Sequence, residues 1–312
     1  MQKKILLTGS SGFLGSQICK DLLKFDFNIT AIDIKKPNKA FSEIKYITGD
    51  VDNYLESINN FDNYDFVIHA ASMLPYKNSS NDIWEKNYLL TKKIVDKISK
   101  SNNVFFIYIS SSAVYGKPEK VPVDQNTELN PLDIYGESKV KSEQYIQNIL
   151  KKTNFSIIRP RTILGNSRSG IFDIFFNLIK YKIPIPIPNK GNQKIQFVEV
   201  RDLSRLTIYI AENNYYGIWP AAGPETKSLN YLLTDLSKKL GSKILILKVN
   251  VLIFKFIGKV LTVFKLTNFT SWHFGAFPYD FYFDEDWVPE GFYYQFSSSE
   301  AFQNTAKKFF KV

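Results

Sequence analysis

The residues best suited to chemistry are a tyrosine and a lysine four positions apart, Tyr135 and Lys139. Positions i and i+4 share one face of a helix, so a helix beginning near Ile134 places the phenol and the ammonium side by side. A nearby ammonium favours the phenolate, and a phenol so placed can take a proton from an alcohol. The pair therefore suits proton transfer at a hydroxyl group. An exposed helix pair without function is the alternative, because the spacing is common by chance.

A run of hydroxyl side chains precedes this pair. Ser110, Ser111 and Ser112 follow the apolar run Val104–Ile109, which predicts a strand. The carboxyl ends of parallel strands are where open α/β sheets bind ligands. We expect Ser111 to hydrogen-bond the reacting oxygen and orient it.

A glycine turn near the start of the chain predicts a dinucleotide site. Gly9, Gly12 and Gly15 lie between the apolar run Ile5–Leu7 and a helical pattern that begins at Ile18. Gly9 allows a tight turn, Gly12 lets backbone approach a pyrophosphate, and Gly15 lets the helix pack on its strand. The helix N-terminus then offers N–H groups to phosphates. A glycine turn without a ligand is the alternative reading.

An acid after the second predicted strand bears on the choice of cofactor. Asp33 stands 24 positions after Gly9, near the offset at which a carboxylate accepts from the adenosine ribose. It would repel a 2′-phosphate, which favours NAD over NADP, although Lys35 and Lys36 follow it. A turn or capping role is the alternative. His69, the last residue of the fourth predicted strand, is interpreted as a satisfied strand-end histidine.

Strands alternate with helices over the first half of the chain, which predicts an α/β fold. We expect a doubly wound parallel sheet, a Rossmann fold, with a smaller C-terminal lobe. Residues 1–165 form the predicted NAD-binding domain, with return elements near 196–222, and residues 166–312 mainly form the substrate lobe. The proline-rich run Ile183–Pro188 must be extended and is interpreted as a rigid spacer.

Composition excludes several classes of protein. The net charge of +10 comes from scattered lysines, so no nucleic-acid-binding arm is predicted. A lone cysteine, Cys19, excludes a disulfide framework and is interpreted as a core residue. With two histidines, it also argues against a metal site. We find no signal peptide and no apolar run of ~18 residues, so a cytoplasmic protein without a membrane span is expected. Residues 250–261 are predicted to pack on the small lobe, with membrane-surface binding as the alternative.

Taken in order, these motifs resemble the extended short-chain dehydrogenase/reductase superfamily. Within it the chain is similar to the NAD-dependent epimerase/dehydratase family, whose type member is UDP-galactose 4-epimerase. The motifs that carry the resemblance are Thr8-Gly9-x-x-Gly12-x-x-Gly15, Asp33, Gly49-Asp50-Val51, His69-Ala70-Ala71-Ser72, Asn87, Ser110-Ser111-Ser112-x-x-Tyr115-Gly116, Tyr135-x-x-x-Lys139 and Arg159-Pro160.

The resemblance implies NAD-dependent epimerisation of a sugar nucleotide through transient hydride transfer and a keto intermediate. It makes Ser111, Tyr135 and Lys139 catalytic, and it implies no metal. The substrate residues would be Ser111, Ser112, Tyr135 and Thr162. The cofactor would contact Gly9, Ser11, Gly12, Phe13, Leu14, Gly15, Asp33, Asp50, Val51, Ala70, Ala71, Ser72, Asn87, Tyr135, Lys139 and Pro160.

Departures from the family pattern keep alternatives open. Ser112 and Ala113 replace the acidic pair of sugar dehydratases, which argues against dehydration. The arginine that many members use for the substrate pyrophosphate is missing, and Lys194, Arg161, Arg168 or Arg201 are possible replacements. A one-way reductase or dehydrogenase of a sugar nucleotide or hydroxysteroid-like substrate is one alternative. A non-catalytic NAD-binding protein is another. Relatives commonly pair, which leaves a homodimer open.

Overall fold

The computed structural model describes residues 2–75, 78–165, 172–241, 243–263 and 275–310. Its strands are β1 Lys3–Thr8, β2 Phe27–Asp33, β3 Ile44–Thr48, β4 Phe66–His69, β5 Phe105–Ile109, β6 Phe155–Pro160, β7 Thr162–Leu164, β8 Ile185–Pro188, β9 Lys194–Ile195, β10 Phe197–Glu199, β11 Gly217–Ala221, β12 Lys227–Ser228 and β13 Ile246–Val249. Its α-helices are α1 Phe13–Leu22, α2 Val51–Glu56, α3 Ser80–Trp84, α4 Leu90–Ile98, α5 Ile134–Ile149, α6 Phe172–Lys180, α7 Val200–Asn213, α8 Leu229–Leu240, α9 Val251–Val263 and α10 Ser298–Phe310.

Seven parallel strands form the main sheet, in the order β11-β6-β5-β4-β1-β2-β3. This is the doubly wound order, in which strands are added outward from β1 first on one side (β2, β3) and then on the other (β4, β5, β6). The predicted fold is therefore confirmed. Strand β11 returns late in the sequence to pair with β6, so residues beyond 165 complete the sheet.

Apolar side chains on both faces of the sheet explain why its strands read as continuous apolar runs. On one face Ile5 and Leu7 pack in a core that includes residues of α1 and α7. On the other face Leu6 packs with residues of α2, α4 and α5. Cys19 lies in the first of these cores, where burial raises the pKa of its thiol to about 12. This confirms that Cys19 is a core residue.

A second core, rich in phenylalanine, holds the C-terminal elements together. Phe172 on α6 packs edge-on against Phe197 and against Phe302 on α10, with ring centroids 4.9 and 5.4 Å apart. Aromatic pairs in this arrangement add stability beyond their buried area.

Helix α9 contributes Phe254 to the interior but exposes Leu252 and Phe256. None of the helices in the described ranges has the length and apolarity that crossing a bilayer requires.

One local prediction was wrong. The proline-rich run is not a spacer, because Ile185–Pro188 forms β8 and pairs in parallel with β13. Proline is tolerated there because this sheet has two strands in the part of the chain that the structure describes, so each strand is an edge. The chain stays helical between α3 and α4, where Glu85–Leu89 forms a π-helical turn. Such turns occur frequently at functional sites.

A buried ion pair joins three elements beneath the carboxyl edge of the sheet. Glu143 on α5 is fully buried and accepts hydrogen bonds from Arg159 at the end of β6 and from Ser110 after β5. Arg159 also donates to the hydroxyl of Tyr115, 2.6 Å away. Every charged atom of the pair therefore has a partner, which a buried ion pair needs.

We expect Glu143→Leu to lower the free energy of unfolding by about 3–5 kcal/mol, because it leaves Arg159 buried without its counter-ion. Urea unfolding would measure the change. The matched control is Glu137→Leu, an exposed position on the same helix, where we expect a change within about 0.5 kcal/mol. A loss below about 1 kcal/mol in the Glu143 variant would contradict this role.

Candidate active site

One cavity of about 280 Å³ opens at the carboxyl edge of the main sheet. The residues that line it are Gly9, Gly12, Phe13, Leu14, Gly15, Ala70, Ser72, Leu74, Pro75, Ile109, Ser110, Ser111, Ser112, Ala113, Asp133, Tyr135, Lys139, Pro160, Arg161, Thr162 and Ile163. The glycine turn, the serine run and the Tyr135–Lys139 pair thus meet at one place, although they are far apart in sequence.

The pair with acid–base character sits in the first turns of α5. Asp133 caps this helix by accepting from the Gly136 N–H at 2.8 Å, which fixes where the helix begins. Lys139, one turn further on, is 1% exposed, and its Nζ lies 5.9 Å from the centre of the Tyr135 ring. The structure therefore brings the two side chains together as the spacing predicted.

Lys139 is held in an unusual environment for an ammonium group. It donates one hydrogen bond to the carbonyl of Ile109, 2.9 Å away, and lies over the ring of Tyr108. Burial lowers the pKa of Lys139 to about 7, and the nearby Glu143 carboxylate opposes this shift. Lysines with lowered pKa values are concentrated at functional sites.

Ser111 is placed to direct a hydrogen bond into the cavity. It precedes a 3₁₀ turn, Ser112–Tyr115, and its Oγ accepts from the Ala113 N–H at 3.1 Å. That bond uses a lone pair and leaves the hydroxyl proton available for a ligand atom. Its neighbour Ser112 is more deeply buried and accepts a hydrogen bond from Arg161.

The glycine turn has the geometry that a dinucleotide needs. Gly9 has φ +75°, and a Cβ there would lie 2.5 Å from the Ala71 nitrogen. A Cβ on Gly15 would lie 2.0 Å from the Gly9 carbonyl oxygen, so α1 packs directly on the turn. Gly12 caps α1, and no side chain of the described residues makes a capping hydrogen bond there. The first N–H groups of a helix suit an anion, so this turn fits a bound pyrophosphate.

Asp33 braces this turn from the end of β2. One carboxylate oxygen accepts from the Ser11 N–H and the other from the Lys35 N–H, both at 2.9 Å. Neither Asp33 nor Ser11 lines the cavity itself. Each carboxylate oxygen retains a lone pair with which to accept from a ribose hydroxyl.

Three other predicted cofactor residues do not line the cavity. Asn87, in the π-helical turn, is buried and makes hydrogen bonds to both backbone groups of Met73, at 2.8 and 3.0 Å. It thereby holds the segment after β4 in place. Asp50 caps α2 and forms an ion pair with Lys86, and the side chain of Val51 is buried in the core.

Three residues show roles that sequence reasoning assigned or missed. His69 is fully buried between Thr8 and Thr91, with ring nitrogens 2.6 and 3.2 Å from their hydroxyls, which confirms that it is satisfied. Burial lowers the pKa of His69 to about 3. Neither the capping of α5 by Asp133 nor the buried ion pair of Glu143 was predicted from the sequence. Their positions, before and within the helix that carries Tyr135, were the features of the sequence that pointed to them.

The basic residues considered as possible ligands of a substrate pyrophosphate, where the structure describes them, differ in their positions relative to the cavity. Arg161 lines the cavity, whereas Lys194 and Arg201 do not. Arg201 forms an ion pair with Glu199, and Arg168 lies outside the described residues. Among the described residues, no three His, Cys, Asp or Glu side chains are grouped so that they could hold a metal ion.

The model of the NAD dependent epimerase/dehydratase family matches residues 5–219. The chain belongs to this family. It is therefore an enzyme of an NAD-dependent class, as the resemblance implied, and NAD is its cofactor.

The chain is also similar to individual proteins and solved structures. An uncharacterized Sinorhizobium fredii protein, y4nG, is 29% identical over 78% of this chain, and the match spans 62% of y4nG. A Methanocaldococcus jannaschii protein, provisionally named UDP-glucose 4-epimerase, is 30% identical over 76% of this chain and 82% of its own length. The crystal structure of the Bacillus cereus UDP-glucuronic acid 4-epimerase in complex with NAD shares the fold, with TM-score 0.74, 22% identity and 99% of both chains covered.

We expect Asp33→Ala to narrow the preference for NAD over NADP by at least about tenfold, equivalent to about 1.4 kcal/mol. The carboxylate repels a 2′-phosphate and can accept from the ribose. Asp33→Asn is the matched variant, because it removes the charge but keeps an oxygen for the Ser11 N–H. Calorimetric titration with both dinucleotides would measure the effect. A wild-type protein that favours NADP would contradict the prediction.

Proposed function

We propose that this enzyme interconverts C4 epimers of a UDP-sugar, with NAD as a bound cofactor. The observation that carries the proposal is the meeting of Ser111, Tyr135 and Lys139 in the cavity that the glycine turn lines. The name of the Methanocaldococcus relative supports the reaction, and the Bacillus enzyme of similar fold acts on a UDP-sugar.

The residues that would hold NAD come from the glycine turn, the end of β2 and the cavity lining. The uncapped N-terminus of α1 would take the pyrophosphate, and Asp33 the adenosine ribose. Pro160 and Lys139 line the part next to the serine run. When bound there, NAD supplies a reversible hydride acceptor. We propose that residues 1–165 mainly bind the cofactor and residues 166–312 mainly supply the substrate lobe.

The proton transfer falls to Tyr135. Its phenol takes the proton of the substrate hydroxyl as the carbon is oxidised to the ketone, and returns a proton when that ketone is reduced. Lys139 supports this by its charge, since an ammonium near a phenol favours the phenolate. The Ile109 carbonyl fixes the position of that ammonium. Ser111 donates to the reacting oxygen and keeps it in line with the phenol.

We expect Tyr135→Phe to retain the fold and bound cofactor but to lower turnover by roughly 10²–10⁴-fold, the usual contribution of a general acid–base group. Tyr145→Phe is the matched control, because Tyr145 lies on the same helix and its hydroxyl pairs with Asp96 away from the cavity. Epimer ratios followed by NMR would measure turnover. Unchanged turnover in the Tyr135 variant would remove this residue from the mechanism.

A second experiment separates an epimerase from a one-way dehydrogenase. An epimerase regenerates its cofactor in each cycle, so we expect the purified enzyme to carry NAD(H) and to equilibrate UDP-glucose-type epimers without added NAD. The absorbance of reduced nicotinamide should show no net change after equilibration. Protein that is purified without cofactor, and that reduces added NAD to a stoichiometric amount of NADH with an alcohol substrate, would instead support the dehydrogenase.

A further inference from the structure

Two arginines flank Pro160, and their surroundings differ sharply. Arg159 is paired with the carboxylate of Glu143 through several hydrogen bonds. Within the described residues, Arg161 has one side-chain hydrogen bond, from its Nη1 to the Oγ of Ser112 at 3.0 Å. The Nε of Arg161 is buried and has no partner in the part of the chain that the structure describes.

Arg161 is therefore a desolvated cation without a counter-ion among the described residues. Its side chain is 9% exposed, and its guanidinium carbon lies 3.7 Å from the centre of the Phe281 ring. Burial lowers the pKa of Arg161 to about 9, so the group remains charged at neutral pH. An unpaired buried charge costs several kcal/mol. Such a group in a cavity calls for an anion that the protein itself does not supply.

The position of Arg161 shows which part of a substrate it would meet. It lines the same cavity as Tyr135, and its hydrogen-bond partner Ser112 directly follows Ser111. A ligand anion at Arg161 would thus lie beside the carbon whose hydroxyl reacts. On a sugar nucleotide, that region is the sugar ring.

The shape of the group favours a carboxylate. A guanidinium is planar and matches the two oxygens of a carboxylate with parallel hydrogen bonds. Stacking on Phe281 holds that plane, and the bond to Ser112 fixes one edge. Hydrogen bonds of this charged type are about twice as strong as neutral ones.

We propose that Arg161 binds a carboxylate carried by the sugar, so that the preferred substrate is a UDP-sugar of the uronic acid class. This inference rests on the proposed function. It makes Arg161 a specificity residue, since a neutral sugar with a hydroxymethyl group at the same position would leave the guanidinium unpaired.

The test compares UDP-glucuronate with UDP-glucose, which differ by a carboxylate in place of a hydroxymethyl group. Affinity and turnover are measured for the NAD-loaded wild type, Arg161→Met and Arg161→Lys, with UDP alone as a reference ligand. We expect the wild type to favour UDP-glucuronate by roughly 10–100-fold, the value of a hydrogen bond to a charged group. Arg161→Met should lose that preference and keep its affinity for UDP. Arg161→Lys should keep part of it, because charge remains without the planar fork.

Arg205→Met is the matched control, because Arg205 pairs with Asp202 on α7 and does not line the cavity. It should leave the preference for UDP-glucuronate intact.

Equal losses of affinity for UDP and both sugar nucleotides in Arg161→Met would place Arg161 at the diphosphate and overturn the proposal. Equal use of both sugars by the wild type would overturn it while leaving the proposed function standing. Failure of the wild type to bind or convert either sugar nucleotide would overturn the proposed function as well. If Arg161→Met does not fold, Arg161→Lys decides between these outcomes.

Discussion

The active-site end of this enzyme depends on the buried ion pair between Glu143 and Arg159. Its hydrogen bonds join α5, the end of β6 and Ser110 after β5. Two buried charges have few low-energy arrangements, because any displacement leaves one of them without a partner. Lys139 lies one helical turn before Glu143 and Tyr135 two turns before it, so fixing Glu143 fixes the register of both. The pair thus sets the distance between the helix that carries the phenol and the serine run that follows β5.

The cofactor side of the cavity is positioned by a different constraint, close backbone contact. The Cβ distances at Gly9 and Gly15 show that the turn, α1 and the segment after β4 touch without room for side chains. Asp33 adds a hydrogen bond to the turn from β2, and Asn87 holds the segment after β4 from the π-helical turn. The two parts of the cavity are therefore positioned by different interactions. Close backbone packing fixes the turn that would bind the dinucleotide, and a buried ion pair fixes the helix that carries the acid–base residues. Both interactions restrict the movement of the residues that would contact a ligand.

Sequence patterns predicted the parts of this structure that depend on local signals. Apolar runs located the strands of the main sheet, and the carboxyl-edge rule brought Ser111 near Tyr135. The missed features depend on distant partners. Pro-rich β8 pairs with a strand some sixty positions later in the sequence (register Ile185 to Ile246), and nothing in its own residues specifies that partner. Nothing in the sequence around Glu143 distinguishes it from an exposed helix residue, and its burial depends on the contact with Arg159. Likewise, Arg159 and Arg161 look alike in the sequence, and only the fold shows that one of them is paired.

The cavity concentrates cations that the fold does not neutralise. Lys139 has a carbonyl and an aromatic face for partners, and Arg161 has a hydroxyl and an aromatic face. Neither is in an ion pair within the described residues. Burial disfavours both charges, so each lowers the stability of the ligand-free fold while raising the positive potential at the reacting centre. An anionic ligand that binds only the folded state removes part of that penalty and adds its own binding free energy to the stability of the fold. The low dielectric around Lys139 and Arg161 makes these buried charges costly to the fold, and it also makes their attraction for an anionic ligand strong. The charges that lower the folding stability are therefore the ones that substrate recognition requires.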